Sequence, residues 1–166
     1  MERETRVLLV AGVLLLAATA GWSRLHPSGD APVDRTLAAR IARPGTPSVA
    51  ILFTPQDCGT LIESLRIWNA PSAAGRLAVR GYLQTPRGRS DELRKVVRGA
   101  VLRFPVESVD AARASEFRDA IGYRGESVIV LTDAAGRIRF TIPLDSVSSP
   151  GARAHVVELA ESLRPR

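Results

Sequence analysis

Two short, nearly unbroken apolar runs, VAILF at 49–53 and SVIVLT at 127–132, limit what this chain can fold into more than any other feature. Runs of five or six residues are too short for a core helix. With no polar alternation, they also have no face to give to water. They read as strands buried on both sides, which requires helices above and below one sheet.

The remaining segments supply those helices. From Cys58, the apolar residues Leu61, Leu65 and Trp68 follow helical spacing, so a helix is predicted from Cys58 onward. SDELRKVVRG (90–99) opens on a capping serine and closes on glycine, DAARASEFRDAIGY (110–123) aligns Ala114, Phe117 and Ile121, and GARAHVVELAESLRP (151–165) aligns Val156, Leu159 and Leu163. Further strands are expected at RLAVRGYLQ (76–84) and at AVLRFPVES (100–108), where Pro105 points to an edge or an irregular segment. IRFTIPL (138–144) alternates and follows the turn DAAGR, so it reads as the hairpin partner of the second buried run. The order β-α-β-α-(β)-α-β-β-α predicts an α/β three-layer sandwich with a mixed central sheet. A doubly wound nucleotide fold is disfavoured, because no glycine-rich loop follows either buried strand.

The N-terminus reads differently. Residues 7–22, VLLVAGVLLLAATAGW, carry no charge and follow a short polar start with Arg3 and Arg6. Residues 1–24 are read as a signal anchor or a cleaved signal peptide, with Ala18-Thr19-Ala20 as the cleavage candidate and Trp22 as an interfacial residue. An anchored form would cross the bacterial inner membrane once through residues 7–22, with the domain in the periplasm; a cleaved form would be released there. Residues 25–47, with four prolines and two glycines, read as a tether. Residues 48–166 form the globular domain, and ~120 residues suffice for one core.

The formal net charge of +6 is carried almost wholly by arginine, Lys95 being the only lysine. Arg87, Arg89, Arg94 and Arg98 are interleaved with acids, and no nucleic-acid motif accompanies them, so no nucleic-acid partner is expected. His26 lies in the tether and His155 in the last helix, so with one cysteine there is no metal-ligand cluster, and neither metal nor cofactor is expected.

Cys58 is the only cysteine, in a chain read as exported, where cysteines usually come in pairs. A lone thiol there implies an intermolecular partner, a reactive group or an inert residue. A helix N-terminus would favour its thiolate; Asp57 beside it would oppose that. Glu63 reads as a solvated helix charge, and Asp133 with Gly136 as turn chemistry. A one-cysteine peroxidase is disfavoured, because Thr54 precedes Cys58 by four positions and the Pro-x-x-x-Thr-x-x-Cys pattern is not met.

Two stretches, VAILFTPQDCGTLIESLRIWN and GYRGESVIVLTDAAGRIRF, together with the element order between them, resemble the thioredoxin-like superfamily and its membrane-tethered TlpA/redoxin branch. The resemblance covers about residues 47–165. It places Cys58 at the nucleophilic first cysteine of Cys-x-x-Cys and Leu61 at the second. Gly122, Gly125, Leu131, Asp133, Gly136 and Ile138 match the second motif, and Ser127 takes the place of its cis-proline. The resemblance implies a thioredoxin-like sandwich whose partners are protein thiols or disulfides, with Cys58 as a catalytic monothiol and Ser127 on the substrate-binding surface. A dimer linked through Cys58 is a further expectation, and so is a redox-inactive thioredoxin fold kept for protein binding. Without a second cysteine, the domain cannot release a mixed disulfide by itself.

Overall fold

The computed structural model describes residues 45–85 and 90–164. The apolar run 7–22 and the tether as far as residue 44 lie outside the described residues. No helix among the described residues is long and apolar enough to cross a membrane.

Five strands form one mixed sheet: β1 (Ser48–Phe53), β2 (Ala78–Gln84), β3 (Val106–Val109), β4 (Val128–Thr132) and β5 (Ile138–Pro143), in the order β3-β2-β1-β4-β5. β1 runs parallel to β2 and antiparallel to β4. β3 extends the parallel half and β5 the antiparallel half. Every residue of β1 and β4 is buried, as the unbroken apolar runs require. Val49, Ile51 and Phe53 point into one core with Leu65, Trp68, Val156 and Ala160. Ala50 and Leu52 point into the other with Tyr82, Ala114, Phe117 and Val130. The helices that close the two faces are α1 (Pro55–Thr60), α2 (Ile62–Arg66), α3 (Asn69–Ala73), α4 (Ser90–Gly99), α5 (Ala111–Ala120) and α6 (Pro150–Ser162); a 3-10 turn, Leu144–Val147, precedes α6.

Two expectations are corrected. The helix predicted from Cys58 is three consecutive short pieces starting at Pro55. Leu61, at φ −120° and ψ 27°, interrupts it first. Pro71 lies inside α3 and has no N–H to donate back along a continuous helix. The inward face nevertheless persists, since Leu65 bonds back to the Leu61 carbonyl at 3.2 Å and Leu61 packs against the core. The strand expected at 100–108 begins only at Val106. Pro105 lends its carbonyl to Gly81 N–H at 2.8 Å and marks the strand's entry.

Upstream of Pro105, Val101 has φ 53° and is 50% exposed. Asn69 pins this loop by donating to the Val101 carbonyl at 3.0 Å and accepting from Arg103 N–H at 2.7 Å. A β-branched residue in the left-handed region costs about 1–2 kcal/mol or more. Val101→Gly is therefore expected to raise stability by about 1 kcal/mol, seen as a higher urea midpoint, because strain relief outweighs glycine's entropy in the unfolded chain. An unchanged or lower midpoint would refute this account of the loop.

The chain enters the described domain at the edge opposite the end of β1. There Gly45 N–H donates to the Ala134 carbonyl in the β4–β5 turn at 3.2 Å. The loop that leaves β1 at the other edge carries the candidate site.

Candidate functional site

Thr54 follows the last residue of β1 and caps α1, with Pro55 in the first helical position. The cap is reciprocal. Asp57 N–H donates to Thr54 Oγ1 at 3.4 Å, while Asp57 Oδ2 accepts from Thr54 N–H at 2.7 Å and from Thr54 Oγ1 at 2.9 Å. The same carboxylate oxygen takes a third bond from Ser127 Oγ at 2.5 Å, across 70 residues of sequence. The segment that enters β4 is thus bolted to the start of α1. Ser127 is held from a second direction as well, its carbonyl accepting from Tyr123 Oη and from Leu144 N–H, both at 3.1 Å. Gly125 lies beneath the Tyr123 ring, where any Cβ would collide with it.

Cys58 is the fourth residue of α1, one turn in from the cap, which corrects the expectation of a thiol at the helix N-terminus. The charge-favouring end of the helix is taken by Thr54 and Asp57. Cys58 is a free, half-buried thiol packed against the core cluster that contains Trp68. Burial, and then the adjacent Asp57 charge, push it up to about 11. Tyr123 is also pushed up, by burial and by the charge of Asp145.

Other sequence-stressed residues have local roles. Glu63 pairs with Arg66 at 3.1 Å on the exposed side of α2. Asp133 Oδ1 accepts from the N–H groups of Ala135 at 2.9 Å and Arg137 at 3.0 Å, closing the β4–β5 turn. His155 is exposed on α6, far along the chain from Cys58. Among the described residues no group of three or more His, Cys, Asp or Glu is placed to hold a metal ion. The structural roles of Thr54, Asp57 and Tyr123 were missed by sequence reasoning; Thr54-Pro55-x-Asp57 is a capping pattern visible in the sequence.

Beside Thr54 and Pro55 lies an open groove of about 650 Å³, bounded by Gln84 and Thr85 at the end of β2 and by Asp110 to Ala112 at the start of α5. Its polar groups are already engaged: Gln84 Oε1 accepts from Arg118 at 3.0 Å, and the Thr85 and Ser108 hydroxyls bond at 2.8 Å. Asp110 caps α5 by accepting from Arg113 N–H at 2.9 Å.

No protein-family model matches the chain, and no curated protein matches it. Solved structures do. A thioredoxin-family thiol:disulfide interchange protein from Chlorobium tepidum TLS superposes with TM-score 0.55, covering 76% of this chain and 83% of that one at 14% identity. This chain has the thioredoxin-like fold. The thioredoxin domain of a thiol-disulfide oxidoreductase from Bacteroides vulgatus is similar at TM-score 0.53 and 12% identity, covering 70% of this chain and 80% of that one. A thioredoxin-like protein from Porphyromonas gingivalis gives TM-score 0.53 and 11% identity, covering 73% and 77%. At such identities the likeness shows the fold. On that thioredoxin-like frame, Cys58 lies in the helix that follows the central parallel strand and Ser127 immediately precedes the antiparallel strand beside it.

Proposed function

We propose that this chain is an exported, membrane-tethered thioredoxin-like domain that engages protein thiols or disulfides at the edge carrying Cys58 and Ser127, with Cys58 as a latent monothiol. The apolar run 7–22 supports the placement at a bacterial inner membrane, facing the periplasm. The observation that carries the reading is the position of Cys58: a free, half-buried thiol in the helix that follows the central strand β1, with Leu61 three residues on. Loss of its proton gives a thiolate that attacks one sulfur of a partner disulfide. A new S–S bond forms, and the partner's other sulfur leaves as a thiolate. Leu61 has no sulfur to resolve the product, so an external low-molecular-weight thiol must reduce it. The second reading, a redox-inactive binding module, is favoured by the raised pKa of Cys58, because at neutral pH almost no thiolate exists.

Alkylation of the full chain by iodoacetamide across pH tests this. Labelling is expected to reach half its maximal rate near pH 11, where Cys58 titrates. At pH 7 it should run roughly tenfold slower than an unperturbed thiol, since the lost thiolate fraction outweighs the gain in intrinsic nucleophilicity. A midpoint below pH 8 would overturn the latent-thiol reading. If Cys58→Ser leaves disulfide-linked partners in cells unchanged, the binding-module reading prevails.

A further inference from the structure

We infer that the end of the domain where the chain enters is a cationic face that rests on an anionic lipid surface, with Arg137, Arg139 and Arg164 as its headgroup contacts. This rests on the membrane-tethered reading and names the face turned towards the bilayer. The entering chain runs between these arginines. On one side Gly45 N–H donates to the Ala134 carbonyl at 3.2 Å, in the turn that leads to Arg137 and Arg139. On the other, Ala78 N–H at the start of β2 donates to the Pro47 carbonyl at 3.0 Å. Arg76 stands just before that strand, and Arg164 donates its Nε to the Arg76 carbonyl at 3.2 Å. β2 and β5 lie three strands apart in the sheet, so the group spans about 15 Å.

The carboxylates at this end are mostly engaged elsewhere. Glu161 pairs with Arg76 at 3.0 Å, and Asp133 Oδ1 accepts from the N–H groups of Ala135 and Arg137 inside the turn. Glu158, one turn back along α6, is exposed. Among the described residues no carboxylate pairs with Arg137, Arg139 or Arg164, and all three are exposed. The planar fork of an exposed guanidinium suits phosphate oxygens. Its attraction to a charged surface fades within a Debye length, ~10 Å at 0.1 M salt, so only a face already held near the bilayer gains from it. Residues 23–44 are all that separates the apolar run from Gly45, and they join the domain at this end. The Cys58 edge, at the other end of β1, then faces away from the lipid.

Contact quenching on the full chain reconstituted in lipid vesicles tests this. In a Cys58→Ser background, a bimane fluorophore is attached after Ala135→Cys in the β4–β5 turn, or after Ala112→Cys where α5 begins, at the opposite end. The vesicles carry a nitroxide on their headgroups. With about one-third phosphatidylglycerol, the turn label is expected to be quenched roughly threefold more than in pure phosphatidylcholine, while the α5 label is quenched little in either. Raising salt from about 0.05 to 1 M should abolish the difference. Arg137→Gln with Arg139→Gln should abolish it as well. Arg113→Gln with Arg153→Gln, which removes the same charge from the opposite end, should leave it. A chain that floats with both vesicles yet shows equal quenching of the turn label overturns the inference and leaves the tethered reading standing. An α5 label quenched as strongly as the turn label overturns it too, as does equal loss in the two double variants. If a double variant does not fold, the salt series decides, and quenching unmoved by salt refutes the inference. A chain that floats with neither vesicle refutes the tethered reading, and the inference with it.

Discussion

Trp68→Ala is expected to destabilise the domain by about 3–5 kcal/mol, the largest single loss among the substitutions considered. Trp68 is fully buried between α2 and α3, in the cluster shared by Val49, Ile51, Phe53 and α6. Truncation removes the largest buried side chain of the domain, and the sheet behind it cannot follow inward, so a cavity remains. Trp68→Phe should be far milder, about 1.5 kcal/mol or less. The indole N–H that it also removes has no hydrogen-bond partner, so its loss leaves no acceptor stranded. Urea unfolding of the two variants side by side measures this. An alanine variant within 1 kcal/mol of wild type would show that Trp68 is not the centre of this core.

Gly81 carries the second large effect. It sits in the middle of β2, opposite Ile51 on β1 and Val106 on β3. A Cβ there would meet the Phe53 ring at 3.0 Å and both the Phe104 ring and Val106 at 3.1 Å. These neighbours are ring edges and a β-branched methyl, held from behind by the core, and cannot swing aside. Gly81→Ala should cost about 1–3 kcal/mol even though alanine stiffens the unfolded chain, and Gly81→Val more. Gly59 serves as the control. It lies in α1 with open space where its Cβ would be, so Gly59→Ala should gain about 0.5–1 kcal/mol. Equal effects at the two glycines would refute the packing argument.

Much of the fold was readable because burial on both faces leaves a plain trace in composition. The expected strands at 49–53 and 127–132 differ from β1 and β4 by one residue each, and the helix at 90–99 has the expected bounds. Periodicity failed where backbone chemistry mattered more than which side faces inward. Leu61, Leu65 and Trp68 do share a face, but nothing in that spacing reports the break at Leu61. Pro71 carries a readable warning in its missing N–H. The strained turn at Val101 leaves no signal at all, since the glycine that would mark such a turn stands two residues earlier, at Gly99.

The site was legible in the same partial way. Resemblance singled out Cys58 and Ser127 as the positions of interest, and the structure places both on the edge where β1 ends. The bond from Ser127 to Asp57 was not legible, because a bond between residues 70 positions apart is a product of tertiary folding. The opposition of Asp57 to the thiolate could be read from adjacency alone. The cap that moves Cys58 a turn inward could have been read from Thr54-Pro55-x-Asp57, had the helix start been sought there.

The bond between Gly45 and Ala134 has a consequence for geometry at the scale of the whole molecule. The incoming chain meets the sheet at the foot of β1, and Thr54 leaves from its head. Six residues of strand separate the two, about 20 Å. The point where the chain enters the described domain and the edge that carries Cys58 thus lie at opposite ends of β1, so a partner can reach that edge without touching the Gly45–Ala134 junction.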